Sequence, residues 1–334
     1  MKKILKKTVL VLTLALAVAM NAGGCRLRGK EVVINPKLSG NEVFCIDKTS
    51  CSLAEARVIL LNYQNIYGTV YGVNLWQQDL GDNSLEQYVK DLTISQLAKV
   101  ISMDLLADEQ GISLTDEEQD RLREAAKKYY DSLNKKEIAY MGVKESDIAK
   151  LYRQYGLADK LYQSLTAGVR EEVSDDEARV MTAQEIFVTS KEKADAVAAG
   201  LTQGTDFLTL AGTYNEAGQT EVSFGRGDRP KAVERIAFAL AKDTISGAIE
   251  TDNGYYFIKC LNNYDQELTD ANKQTILERR KKEAFDDVYD AFVAQTPSSM
   301  NEKLWDGVKL KFSDELKTDS FFAIYEEYGK VTVE

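Results

Sequence analysis

The spacing of apolar residues divides this chain before anything else does. From Ser52 to about Gly168 it follows the helical period. Leu53, Ala56, Ile59 and Leu60 recur three and four apart, as do Leu85, Val89 and Leu92, then Leu97, Ile101 and Leu105, which stop at Gly111. Ile148, Leu151, Tyr152 and Leu161 mark a further helix from Asp147 to Leu165. Ser52 with Glu55, and Thr115 with Glu118, have the spacing at which side chain and backbone cap a helix start reciprocally. At Ala183 the period changes. Ala183 to Val188 is short, apolar and strand-like, and Lys191 to Gly204 reads as a helix ended by glycine. Phe207 to Tyr214 and about Ala232 to Leu240 read as two more helices, and Gly254 to Leu261 as a strand rich in aromatic and β-branched residues. From Thr269 to Val293 the helical spacing returns, until Pro297 ends it. The pattern predicts an α+β protein with a helical domain built from N- and C-terminal segments. A small α+β module with an antiparallel or mixed sheet is inserted into it or appended beside it. The expected divisions are 42–175 for the helical N-terminal domain, 176–263 for the module, and 264–334 for a C-terminal helix and tail completing the helical domain.

Residues 1–24 stand apart. Lys2, Lys3, Lys6 and Lys7 precede an apolar run, Thr8 to Met20, that is short for a bilayer span, and the segment reads as an export signal. Ala22, Gly23 and Gly24 place small side chains immediately before Cys25. This run resembles the lipobox of bacterial lipoproteins, with Ala22 where that pattern prefers leucine. The resemblance implies that Cys25 becomes a lipidated first residue, holding the body at the extracytoplasmic face of the cell membrane. Removing four lysines and no acid lowers the net charge from −11 to −15, so the body is repelled by anionic lipid and favours a tether, residues 25–41. No later stretch is long and apolar enough to be a second span.

Composition then excludes whole classes of chemistry. There is no histidine, hence no histidine-based triad, imidazole zinc site or histidine pH switch. A pI near 4.9 without a basic cluster argues against nucleic acid as a partner. Phosphate-cradling glycine motifs and CxxC pairs are missing, and no cofactor or metal is expected. Asp79 and Asp82 around Gly81 are too sparse for a calcium loop. Cys45 and Cys51 flank a turn-like Asp47-Lys48-Thr49-Ser50, where a disulfide and two buried thiols both fit the spacing, and Cys260 reads as a core residue. Tyr63, Tyr67, Tyr71 and Trp76 fit both helical packing and an aromatic client surface, with packing favoured. Arg226-Gly227-Asp228 matches an adhesion tripeptide by chance. Trp305, Phe312, Phe321, Phe322 and Tyr325 make the tail too apolar to be left undocked, and it is expected to dock against the N-terminal helices.

Several motifs within the module belong together. They are Ala183-Gln184-Glu185-Ile186-Phe187-Val188, Gly204-Thr205-Asp206-Phe207 with Leu210, Ala211 and Tyr214, Ala237-Phe238-Ala239-Leu240, and Ile245-Ser246-Gly247 leading to Gly254-Tyr255-Tyr256-Phe257-Ile258-Lys259. In this order and spacing they resemble a parvulin-type peptidyl-prolyl isomerase domain. With the lipobox and the flanking helical segments, the chain resembles the PrsA/SurA-type extracytoplasmic foldases. The resemblance implies a membrane-anchored chaperone for unfolded or partly folded exported polypeptides. It puts Glu185 and Tyr256 at the positions of the family's two site histidines, and Glu221, Arg229, Val233 and Phe238 at its proline cleft. Prolyl isomerisation works by gripping the ring in an apolar cleft and favouring the twisted amide, so Glu221 and Arg229 imply a weak or lost isomerase. Three readings follow: a foldase-like chaperone with a degenerate cleft, an isomerase working without histidine, or a surface lipoprotein whose cleft binds a specific partner. In the last, Glu221 and Arg229 pair with each other and the cleft takes something polar.

Overall fold

The computed structural model describes residues 38–71, 76 and 84–331. The expected export signal, Cys25, the tether up to residue 37, and Asp79, Gly81 and Asp82 lie outside the described residues, as does the side chain of Tyr71. Contacts divide the chain into one unit of residues up to 167 together with those from 284, and another of residues 168–283. The second unit extends beyond the 176–263 read from the period. Its lead-in and the first half of helix Gln266–Gln295 hold each other. Arg280 grips both carboxylate oxygens of Glu177 at 2.6 and 2.8 Å, Asn272 donates to the Ala178 carbonyl, and Val180 N–H donates to Thr269 Oγ1.

The first unit is not purely helical. Strands β1 (Glu42–Ile46) and β2 (Thr49–Ser52) form a hairpin whose turn holds Asp47 at φ +51°, and β7 (Ser298–Met300) pairs with β1 on its other side. The sheet, in the order β2-β1-β7, joins the start of the described chain to the segment that follows helix Gln266–Gln295. Strands of three to five residues are too short to print a period of two, so the pattern did not announce them. The register also settles the cysteines. Phe44 faces Cys51 and Cys45 faces Ser50, so adjacent positions send the two thiols to opposite faces of the hairpin. Both are free and buried, which corrects the disulfide reading.

Helices Leu53–Tyr71, Leu85–Glu109, Asp116–Ser132, Lys135–Met141 and Glu145–Thr166 supply the rest of this core. Both expected capping boxes form: Ser52 N–H donates to Glu55 and Glu55 N–H to Ser52 Oγ, with the same exchange between Thr115 and Glu118. The tail returns into the core. Phe321 is fully buried among Tyr129, Tyr152 and Tyr155, its backbone N–H held by Asn62 and its carbonyl by the Tyr152 hydroxyl at 2.8 Å. Tyr63 stacks on Phe322 and meets Tyr67 edge-on, and Trp76 lies against Phe312. No helix among the described residues is long and apolar enough to cross a membrane.

The second unit is built on strands β3 (Met181–Val188), β4 (Glu221–Phe224), β5 (Ile249–Thr251) and β6 (Gly254–Asn262), all antiparallel in the order β4-β3-β6-β5. Helices Lys191–Thr202 and Phe207–Tyr214 cover one face over Ile186, Val188 and Phe257. Helix Lys231–Ala237 covers the other over Met181, Ala183, Ile258 and Cys260. Cys260 is the core residue its apolar surroundings suggest.

Candidate functional site

One glycine sets the register of the site. Gly254 has φ +143°, and a Cβ there would stand 2.4 Å from the Val188 carbonyl oxygen and 2.9 Å from the Phe187 ring. Only glycine lets β6 begin so close to the end of β3. From that start Tyr256 pairs with Phe187, Ile258 with Glu185 and Cys260 with Ala183. Side chains alternate along a strand, so Ala183, Glu185 and Phe187 share the face covered by helix Lys231–Ala237 with Tyr256, Ile258 and Cys260. Phe187 and Tyr256 meet with ring centroids 4.7 Å apart.

Glu185 and Tyr256, which the resemblance puts at two histidine positions, therefore lie on one face, and a third residue joins them. Arg229 Nε donates to Glu185 Oε2 at 2.8 Å, with the Glu185 side chain 5% exposed and that of Arg229 24% exposed. The Arg229 guanidinium also lies over the Phe224 ring, 5.1 Å from its centroid, and donates to the Asp228 carbonyl. Its loop is fixed from below. Glu234 Oε1 accepts from the backbone N–H groups of Gly227 and Arg229, and Asp228 Oδ2 from that of Gly225. Burial raises the Tyr256 phenol above its usual pKa, with the Glu185 charge adding to the rise and Arg229 opposing it.

Glu221 is elsewhere. It is exposed and stands opposite Gln184, whose amide donates to it at 3.4 Å on the sheet face away from Glu185. The pairing of Glu221 with Arg229 is corrected: the guanidinium takes Glu185, 44 residues away, because alternation in β4 turns Val222 and Phe224, not Glu221, toward the cleft. Val233 is fully buried in the core beneath helix Lys231–Ala237, so it supports the cleft without lining it. Phe238, 8% exposed, meets Phe224 edge-on at 5.8 Å, and Arg179 and Arg226 stand over its ring at 5.4 and 5.0 Å. Phe187, Phe224, Arg179 and Arg226 were not singled out from the sequence as site residues. Alternation from Glu185 would have found Phe187, but no local signal marks the two arginines.

The result is an apolar cleft whose centre is filled by an ion pair. No group of three or more Cys, Asp or Glu among the described residues could hold a metal ion. Known proteins give this geometry its context. Residues 169–272 match the family described as the PPIC-type PPIase domain. The chain is 24% identical over 197 residues to the foldase protein PrsA of Clostridium acetobutylicum, covering 51% of this chain and 59% of that protein. It is 30% identical over 108 residues to PrsA of Halalkalibacterium halodurans, covering 30% and 32%. It thus spans less than two thirds of the length of these curated relatives. A crystal structure of PrsA from Bacillus cereus matches 74% of this chain and 96% of its own at 20% identity, with a TM-score of 0.38. A SurA-like chaperone of Campylobacter jejuni matches 78% and 99% at 10% identity, with a TM-score of 0.28. Residues 169–272 are thus similar to the PPIC-type PPIase domain, and the chain is similar to the PrsA foldases.

Proposed function

We propose that this protein is an extracytoplasmic foldase-like chaperone for incompletely folded exported polypeptides, and that its parvulin-type domain is a weak or silent isomerase. The Glu185–Arg229 ion pair carries the second half of this reading. A prolyl ring entering the cleft has to displace the guanidinium from Phe224 and from a carboxylate that is almost fully buried. Separating a buried pair costs about 3–5 kcal/mol, because an uncompensated charge is left behind. An enzyme that lowers the ~18–20 kcal/mol amide barrier through ring burial has little binding energy left after that loss. The similarity to PrsA supports the first half, with the helical unit as the client-binding part. The run before Cys25 supports attachment to the membrane by lipid.

Two assays decide it. In a protease-coupled proline-peptide assay the full chain should match buffer while an active parvulin accelerates the reaction, and a comparable acceleration by this chain removes the silent-cleft reading. In an aggregation assay the chain should keep an unfolded client soluble, and equal aggregation with and without it removes the chaperone reading. Labelled fatty acid should enter the wild-type chain in a bacterial host and not Cys25→Ser.

A further inference from the structure

A second concave site lies on the same unit, beside the Glu185–Arg229 cleft, with Phe238 between them. Arg179, Arg226, Lys231, Glu234, Arg235, Phe238 and Ala239 line a shallow pocket of about 430 Å³. Four of these seven side chains are cations and one is an acid, in a chain whose net charge is −11. The single acid does not neutralise them, because the Glu234 carboxylate faces the backbone N–H groups of Gly227 and Arg229, the former at 2.6 Å. Arg226 is paired with Asp176, which is three-quarters exposed and exchangeable with another carboxylate. Among the described residues no carboxylate pairs with Arg179, Lys231 or Arg235.

The cations are also held in place. Arg179 Nε donates to the Asn263 carbonyl at 2.7 Å and Arg226 Nε to that of Asp176 at 2.8 Å, and both guanidinium planes stand over the Phe238 ring. An arginine stacked on a ring and tied through Nε has already lost much of its rotamer freedom, so less entropy remains to be lost when its outer nitrogens take a ligand. Planar forks of this kind match carboxylates.

We propose that this pocket binds acidic segments of polypeptide, with aspartate or glutamate carboxylates on Arg179, Arg226, Lys231 and Arg235. A short acidic segment fits the size of the pocket. Long polyanions and anionic membranes meet the negative field of the whole molecule as well as this patch, which disfavours them. The site is independent of the isomerase reading, since none of its charges takes part in the Glu185 pair.

Calorimetric titration of the full chain with hexaglutamate, and with hexaglutamine as control, tests the proposal. Hexaglutamate should bind, more weakly as salt rises, and hexaglutamine should not. Lys231→Gln with Arg235→Gln changes two exposed side chains and should weaken binding about tenfold with an unchanged melting curve. In the wild-type chain the Nε–Hε resonances of Arg179 and Arg226 should shift during the titration, a readout that needs no variant. Equal affinity in the double variant, no shift of either arginine, or equal binding of hexaglutamine overturns the proposal. Binding to phosphatidylglycerol vesicles without binding to hexaglutamate also overturns it and makes the patch a lipid site.

Discussion

The two faces of the β4-β3-β6-β5 sheet use the same strands in opposite ways. On one face Ile186, Val188 and Phe257 meet helices Lys191–Thr202 and Phe207–Tyr214 in an apolar cluster. On the other, one residue along from Ile186, Glu185 sits buried among Ala183, Phe187, Ile258 and Tyr256 and has to find a cation. Apolar burial stabilises roughly in proportion to area, whereas a buried ion pair about breaks even and is costly only when broken. The first face holds the domain together. The second carries a charge pair where the first has only apolar contact.

The comparison can be broken in order of expected effect. Phe257→Ala, on the apolar face, should cost about 3–5 kcal/mol in urea unfolding, and a loss under about 1 kcal/mol denies that face its structural role. Arg229→Ala should cost about 3 kcal/mol by stranding Glu185, while Glu185→Leu with Arg229→Met should recover to within about 1 kcal/mol of wild type. Equal losses in the single and double variants show that the two side chains are not coupled. The double variant also reopens an apolar cleft, and prolyl isomerase activity at least about tenfold above the parent, equivalent to 1.4 kcal/mol, is expected; an unchanged rate means that the ion pair was not what blocked the site.

A buried carboxylate in the other unit sharpens the contrast, because its near partner is a neutral phenol. Asp159 accepts from the Tyr325 hydroxyl, and burial pushes its carboxyl up to about 6, with Glu326 adding to the rise and the Tyr325 bond and Lys330 opposing it. The folded chain then holds a proton that the unfolded chain has released, so stability should fall as pH rises from about 4 to about 6 and stay level above. Asp159→Asn keeps an acceptor for Tyr325 and should flatten that slope. It should gain on the order of 1–2 kcal/mol at pH 7, and a slope unchanged by the substitution assigns the effect to another group. The smallest effect belongs to Lys231→Gln with Arg235→Gln, whose exposed side chains should change stability by less than about 0.5 kcal/mol.

Much of the fold was legible in the chain itself. Leu97, Ile101 and Leu105 repeat at a spacing that only a helix turns to one side, and Ser52 with Glu55 caps a helix with atoms three residues apart. These are local relations, governed by sterics and hydrogen bonds within one turn, and they survive almost any tertiary arrangement. The order of motifs from Ala183 to Lys259 was enough to indicate a parvulin-type domain for the same reason: each is a short stretch with its own conformational demand. The strands β4, β5 and β7 were not legible, since three or four residues carry no period and such strands exist only as partners of longer ones.

The site was half legible. Glu185 and Tyr256 were placed by resemblance, and β6 brings them to one face with Arg229. Glu221 was placed by alignment and lies on the far face, because a strand position one residue off points the opposite way. By itself, then, the amino-acid sequence determined the helices, the two long strands, the absence of imidazole chemistry and the acidic balance. Tertiary structure alone decided that Arg229 takes Glu185, that Cys45 and Cys51 stay apart, and that Arg179 and Arg226 close on Phe238. The pairings that form join residues from 12 to 59 positions apart, and which of them meet is set by strand register and by helices packed across the sheet, quantities that no local spacing encodes.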